Sequence, residues 1–150
     1  MPEDECGFCG VFEGAVVTAS WPITVHELEV KSQNAYHGIR GADIRKYKAD
    51  RNRWEWLFYA KMTAGKIPKA KRFRRARITR FCKTKRELYD YGNFVGGLKP
   101  VVDAMKNVGL IVDDRPSMFF AGYRQVVTNA VNHHLSILLE EVEGDDARHR

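Results

Sequence analysis

Long apolar runs are missing from this chain of 150 residues, and cysteine is scarce. No apolar run approaches the roughly 20 residues that a membrane-spanning helix needs, so we expect no transmembrane segment. The chain starts Met-Pro-Glu-Asp-Glu, whereas a secretory signal begins with basic residues, so we expect an intracellular, cytoplasmic protein. Three cysteines are an odd and small number, which excludes a disulfide framework and fits a reducing compartment.

Acidic residues are absent between Trp56 and Arg86, although this stretch carries twelve Lys and Arg and the whole chain has a net charge of +6. Cations at this density repel one another unless an anion lies nearby. A phosphate backbone meets that need, because binding it releases counterions. The alternative is a solvated basic face that keeps the protein soluble. The cations that we expect to contact a nucleic acid are Lys71, Arg72, Arg74, Arg75, Arg77, Arg80, Lys83, Lys85 and Arg86.

Hydrophobic periodicity predicts an α+β fold, a single compact domain with a mixed β-sheet and two main helices. We expect a flexible arm at 1–10, the domain at 11–142 and a charged tail at 143–150. Within the strand predicted at 72–81, Ala76 and Ile78 lie on one face and Arg75 and Arg77 on the other. A loop is expected at 87–98. The predicted helices are 42–64 and 100–108, and the predicted strands are 16–18, 23–25 (after a break at Pro22), 28–30, 72–81, 110–112, 118–127 and 134–142.

The segment from Asp90 to Asp114 can bring carboxylates together beside a lysine. A helix from Pro100 to Val108 is roughly 13 Å long, and three extended residues after Gly109 return roughly 10 Å. This path carries Asp113 and Asp114 back towards Lys99 and the Asp90 loop. Mg²⁺ prefers such oxygen ligands, activates water and stabilises a departing oxygen, while a lysine offsets charge on the phosphate. The alternative is that the two aspartates merely form a turn.

A combined motif runs through the same segment: Asn93, Gly96-Gly97, Lys99-Pro100, Asp103-Ala104, Gly109 and Asp113-Asp114. It resembles the RusA family of Holliday junction resolvases and its phage relatives. Members of that family carry D-x-D-N, in many relatives followed by G-G-x-K-P and D-A, and then a glycine, two hydrophobic residues, one residue of any type and D-D. The resemblance covers about 25 residues and is far more specific than any of its parts.

The resemblance implies a RusA-like fold and a homodimer that resolves four-way DNA junctions in recombination and repair, in a bacterial cell or encoded by a phage. It implies Mg²⁺ as the cofactor, for which Mn²⁺ can substitute. It makes Asp90, Lys99, Asp113 and Asp114 the catalytic residues, with the three carboxylates as metal ligands and Lys99 as the catalytic cation. It also assigns Asn93 to the shape of the loop, and Asn93 and Lys99 to contact with DNA.

One position departs from the family pattern, because Gly92 stands where the second aspartate of D-x-D-N belongs. A glycine has no side chain to bind a metal, so the alternative function is a weakened or inactive protein that still binds branched DNA. A third hypothesis is a basic RNA-binding protein whose acidic loop is only structural. Glu87 or Asp103 could replace the missing ligand. Asp103 follows Lys99 by four residues, however, so we expect these two side chains to pair on one helical face instead.

Cys6 and Cys9 have the spacing of half a zinc site. A structural zinc ion takes four ligands, and Cys82, His26 and His37 could complete the set. An arm that binds no metal is the alternative.

Overall fold

The computed structural model describes residues 15–36 and 41–143. The predicted arm at 1–10, with the Cys6 and Cys9 half-site, lies outside the described residues, and so does 144–150 of the predicted tail. Glu143, the first residue assigned to that tail, is instead the last residue of a strand. Within the two described ranges, no helix combines the length and the apolar character that crossing a membrane requires.

The described residues form one mixed sheet of four strands, which confirms the predicted α+β class. The strands are β1 (Val16–Val25), β2 (Arg74–Cys82), β3 (Phe119–Val127) and β4 (Leu135–Glu143). They lie in the order β1-β4-β2-β3, with β4 antiparallel to both neighbours and β2 parallel to β3. β4 therefore joins β1 to the parallel pair.

β1 is continuous through Pro22, so the predicted break is wrong. Among the described residues β1 is an edge strand that pairs with β4 alone, and an edge position tolerates the missing N–H of proline. The strand predicted at 28–30 is also wrong, because the chain turns away after Val25. The backbone N–H of His26 donates to the Glu27 carboxylate at 3.0 Å, and this contact belongs to the turn.

The described α-helices are α1 (Gly41–Gly65), the short α2 (Tyr91–Gly97) and α3 (Lys99–Val108), and short 3-10 helices lie at Gln33–Tyr36 and Lys85–Glu87. The two longer ones, α1 and α3, correspond to the predicted pair and pack against each other. Trp54 and Phe58 of α1 and Met105 of α3 are buried with Ile78 and Ile137 of the sheet. The core therefore lies between the helices and one face of the sheet, and α3 is held with one side towards solvent.

α2 replaces part of the loop expected at 87–98. Asp90 caps this helix by accepting the Asn93 N–H at 3.0 Å, and Phe94 is buried. Gly97 lies so close to the Lys31 backbone that an added Cβ would be 1.9 Å from the Lys31 carbonyl oxygen. The Asp90 cap and the close approach of Gly97 to Lys31 therefore stabilise α2, which hydrophobic periodicity does not predict.

The strand predicted at 110–112 is wrong, although Leu110 and Ile111 are buried. Gly109 ends α3 in the left-handed conformation, with φ of 88°. The N–H groups of Leu110 and Ile111 then both point back to the Met105 carbonyl, at 2.9 and 3.4 Å. The Leu110 carbonyl accepts from the Arg74 guanidinium at 2.9 Å. These backbone N–H and carbonyl groups bond to the end of α3 and to the Arg74 side chain, so they do not pair with a strand.

Candidate functional site

One face of α3 carries Lys99, Asp103 and Lys106, which are spaced by four and three residues. Lys99 Nζ lies 3.5 Å from Asp103 Oδ2, which confirms the predicted pair. Asp113 and Asp114 follow the buried turn and meet the same face further along. Lys106 Nζ lies 3.2 Å from Asp113 Oδ1 and 3.6 Å from Asp114 Oδ1. The ion pairs of the two aspartates are therefore with Lys106 in the last turn of α3, and not with Lys99 at its start, where the sequence predicts them.

Asp113 contacts two cationic side chains. Arg115 Nε donates to Asp113 Oδ2 at 2.7 Å, and Lys106 reaches the other oxygen. The pKa of Asp113 is held well below its usual range, chiefly by a hydrogen bond with the Asp114 side chain and then by one from Lys106. Because Asp113 stays ionised, it presents negatively charged oxygens to any cation that approaches the pair.

Lys99 and Asp114 line one shallow depression of about 280 Å³, together with Asp103. The lining also includes residues of the first half of β3, from Phe119 to its middle residue, Tyr123. Lys99 is 65% exposed, so its ammonium group can reach a ligand in this space. The structure therefore brings together two of the predicted catalytic residues, with Asp113 beside Asp114.

Asp103 is held by a second contact, because the Tyr47 hydroxyl donates a hydrogen bond to its carboxylate. The pKa of Tyr47 is raised, first by burial and then by this hydrogen bond, so the hydroxyl keeps its proton. Asp103 is thereby fixed between Tyr47 of α1 and Lys99 of α3. Asp103 therefore links the two helices and contacts Lys99.

Asp90 is not among the residues that line this depression. Its carboxylate caps α2, accepting from the backbone N–H of Asn93 and from the Asn93 side-chain amide. Asn93 therefore shapes this loop. Within residues 15–36 and 41–143, no group of three His, Cys, Asp or Glu side chains is arranged to hold a metal ion. The Asp90 carboxylate therefore caps α2 and does not line the depression that Asp114 lines.

Gly92 is the third residue of the Asp90 loop that the sequence singles out. A Cβ added at Gly92 would lie 3.5 Å from Asp90 Oδ1, an ordinary contact distance, and would meet no other neighbour within 4 Å. The position can therefore accept the aspartate that the family motif carries, and that carboxylate would lie beside Asp90.

The basic run is neutralised in part by the protein itself. Arg75 donates to the buried Glu140 from Nε at 2.7 Å and from Nη2 at 2.6 Å. Arg74 is 1% exposed, lies 3.3 Å from Glu141 and stacks on the Trp21 ring at 4.4 Å. The expectation that Arg74 and Arg75 contact a nucleic acid is therefore wrong, because both guanidinium groups are buried against carboxylates of β4.

The other cations that the sequence assigns to nucleic-acid binding differ from Arg74 and Arg75 in their burial and their partners. Arg80 is half-buried and donates to the Glu87 carbonyl and the Gln125 side chain, both at 2.8 Å. Arg72 is exposed and pairs with Glu143. The remaining members of the predicted set are all exposed: Lys71, Arg77, Lys83, Lys85 and Arg86. Exposed cations therefore remain on both sides of the buried arginines.

Lys106 and Arg115 were not predicted as site residues, although both contact Asp113. Lys106 could have been found, because it follows Lys99 by seven residues and so shares its helical face. Arg115 lies outside any regular element, and no sequence pattern marks it.

Comparison of the chain with protein-family models, with curated proteins and with solved structures finds no significant match.

Proposed function

We propose that the protein is a Mg²⁺-dependent endonuclease of branched DNA, similar to the RusA family. The observation that carries the proposal is the depression shared by Lys99 and Asp114, with the Asp113 carboxylate adjoining Asp114. Lys99 and Asp114 stand at motif positions that the family resemblance makes catalytic. The resemblance also underlies the proposal that the protein is a homodimer, which would match the two-fold symmetry of a four-way junction.

The donor set around Asp113 and Asp114 fits a hard divalent cation. Two adjacent carboxylates supply oxygen ligands, and they already attract the cationic groups of Lys106 and Arg115. Asp113 and Asp114 would hold Mg²⁺. The family resemblance alone adds Asp90 as a further ligand, because its carboxylate caps α2 and does not line the depression. When bound, the ion activates water for attack on a phosphodiester and stabilises the leaving oxygen.

The residues of the chain would supply orientation and charge. Lys99 carries an exposed ammonium group at the mouth of the depression and would offset charge that develops on the phosphate. Asp103, fixed by Tyr47, would orient Lys99. The exposed cations Lys71, Arg72, Lys83, Lys85 and Arg86 would bind phosphates further along the DNA.

The test is single-turnover cleavage of a synthetic four-way junction with Mg²⁺ and with a chelator. We expect cleavage with Mg²⁺ and none with the chelator. Asp114→Asn and Lys99→Met should each lower the cleavage rate about 100-fold or more, the scale of losing one electrostatic contact in a transition state. Asp43→Asn on α1 is the matched control for a removed carboxylate and should cleave normally. Equal cleavage by Asp114→Asn and the control would refute the assigned site.

A second candidate function is junction binding without cleavage, and Gly92 is the observation that favours it. A small Mg²⁺ site that lacks one carboxylate binds the ion more weakly, and Gly92 leaves that position empty of a ligand. Gly92→Asp tests this candidate, because the new carboxylate has room beside Asp90. We expect Gly92→Asp to tighten Mg²⁺ binding and raise cleavage, while Gly92→Asn, of similar size but uncharged, does neither.

If the native protein binds junctions but only Gly92→Asp cuts them, the second candidate is correct. If the native protein already cuts and Gly92→Asp adds little, the first is correct and the site tolerates glycine. If neither protein cuts or prefers junctions over linear duplex, both candidates are refuted.

A further inference from the structure

A groove of about 680 Å³ lies where the parallel strands β2 and β3 end side by side, with Cys82 opposite Val127. The segments that follow these strands, 83–89 and 128–134, form its walls. Ligands in open sheets bind outside the carboxyl ends of parallel strands. The depression at Lys99 is instead lined by the first half of β3, from Phe119 to Tyr123, and shares no lining residue with the groove. The groove is therefore a separate site.

The groove combines cations with aromatic rings. Lys83 and Arg86 are exposed along it, while Phe81 and His133 are half-buried in its lining. The rings of Phe81 and His133 meet edge to face, with centroids 4.9 Å apart. Phosphate-binding cations beside accessible rings are the combination that binds single-stranded nucleic acid.

The loop on one side of the groove is held firmly. Arg80 donates to the Glu87 carbonyl and to Gln125, and its guanidinium covers the Tyr89 ring at 4.0 Å. Gln125 in turn bonds to the backbone of Tyr89, accepting at 3.2 Å and donating at 2.8 Å. The groove wall is therefore preorganised, and its last residue, Tyr89, directly precedes Asp90.

Two carboxylates also lie in the groove lining, and both have partners. Glu87 accepts the backbone N–H of Lys83 at 2.9 Å, which closes the turn after β2. Glu29 lies 3.7 Å from His134 Nε2. Both carboxylates are nevertheless exposed, with the Glu29 side chain 76% exposed, so the lining carries charges of both signs and Lys83 and Arg86 are its exposed cations.

We propose that this groove binds unpaired nucleotides of a DNA strand, with phosphates at Lys83 and Arg86 and a base against the rings of Phe81 and His133. A ring in a groove can stack only on a base that is free of its duplex, so the ligand is single-stranded. The identity of the ligand as DNA rests on the proposed function. An unpaired strand bound here leads past Tyr89 towards Asp90.

The first experiment measures binding of a labelled oligothymidylate of about 12 nucleotides, within the usual site size for single strands. Asp114→Asn protein in chelator is used so that no cleavage occurs. Replacing Lys83 and Arg86 together by alanine should weaken binding at least tenfold. It should also lower the slope of log affinity against log salt by about 1.4, from about 0.7 for each phosphate lost.

The matched control is the double variant Lys46→Ala and Lys48→Ala, which removes the same charge from two exposed positions of α1. Its affinity should change less than threefold. Equal losses in the two double variants would overturn the proposal, since binding would then follow net charge. Tighter binding of a duplex of the same length, or of oligouridylate, would also overturn it. Displacement by thymidine monophosphate as readily as by the strand would assign the groove to a free nucleotide instead.

The second experiment tests stacking through His133, which lies in a loop where substitution should not prevent folding. His133→Ala should weaken oligothymidylate binding by about fivefold or more, the lower end of one lost base stack. His133→Phe should restore it, because the ring is kept. Unchanged binding in His133→Ala would refute the stacking role. If the groove variants lose strand binding but the native protein does not cut junctions, only the proposed nuclease activity is refuted. If the native protein cuts junctions and the groove variants bind the strand normally, only the proposed groove is refuted.

Discussion

Glu140 and Glu143 of β4 both pair with arginines of the basic run, but in different surroundings. The Arg75 and Glu140 side chains are 10% and 7% exposed, and Arg75 donates to Glu140 through two nitrogens. The Arg72 and Glu143 side chains are 64% and 57% exposed. Substituting each glutamate by glutamine therefore removes the same charge from the same strand at very different burial.

Glu140→Gln should cost about 3 kcal/mol of unfolding free energy, because it leaves the Arg75 guanidinium buried without its counter-charge. Glutamine can still accept one hydrogen bond, so we expect the lower end of the range for breaking a buried pair. Glu143→Gln should cost less than about 1 kcal/mol, since an exposed pair is screened by water and salt.

The assay is urea unfolding of the three proteins followed by circular dichroism, with the free energy extrapolated to water. The slope against urea should stay the same in all three, so that the midpoints report stability alone. If Glu140→Gln costs no more than Glu143→Gln, the view that Arg75 is neutralised inside the protein is refuted. Arg75 would then return to the set of cations available to a nucleic acid.

Two further predictions concern α2 and the alkaline limit of stability. Gly97→Ala should destabilise the fold by about 1–3 kcal/mol in urea unfolding, because its Cβ would lie 1.9 Å from the Lys31 carbonyl oxygen. Gly92→Ala in the same helix has room and should be neutral or stabilising by up to about 1 kcal/mol; equal losses would contradict the close approach of Gly97 to Lys31. Burial raises the pKa of Tyr123 from 10.0 to about 12, so its contribution to stability is complete below pH 10 and is lost as the pH rises towards 12. Tyr123→Phe should make the unfolding free energy flatter over that window, and an unchanged slope would contradict the burial.

Long, periodic elements could be predicted from the sequence. The helix predicted at 42–64 is α1 at 41–65, because Gly65 and Pro68 mark its end. The strand predicted at 118–127 is β3 at 119–127. The pair of Lys99 and Asp103 also follows from local spacing alone. In each case the signal lies within one segment of the chain.

Features that depend on distant contacts could not be predicted in the same way. Alternation correctly puts Arg75 opposite Ala76, but its burial depends on Glu140, which is 65 residues away and reaches it through the pairing of β2 with β4. α2 depends on the approach of Gly97 to Lys31. The groove at the end of β2 forms only when the segment after β3 crosses towards β4.

The central proposal is that Lys99, Asp113 and Asp114 belong to a Mg²⁺-dependent nuclease site for branched DNA. The most direct measurement maps the incisions that the native protein makes in a four-way junction labelled on each strand in turn. The proposal predicts Mg²⁺-dependent nicks at symmetric positions in two opposing strands, and their loss in Asp114→Asn. Nicks that are unpaired, that occur equally in linear duplex or that persist in Asp114→Asn would contradict it.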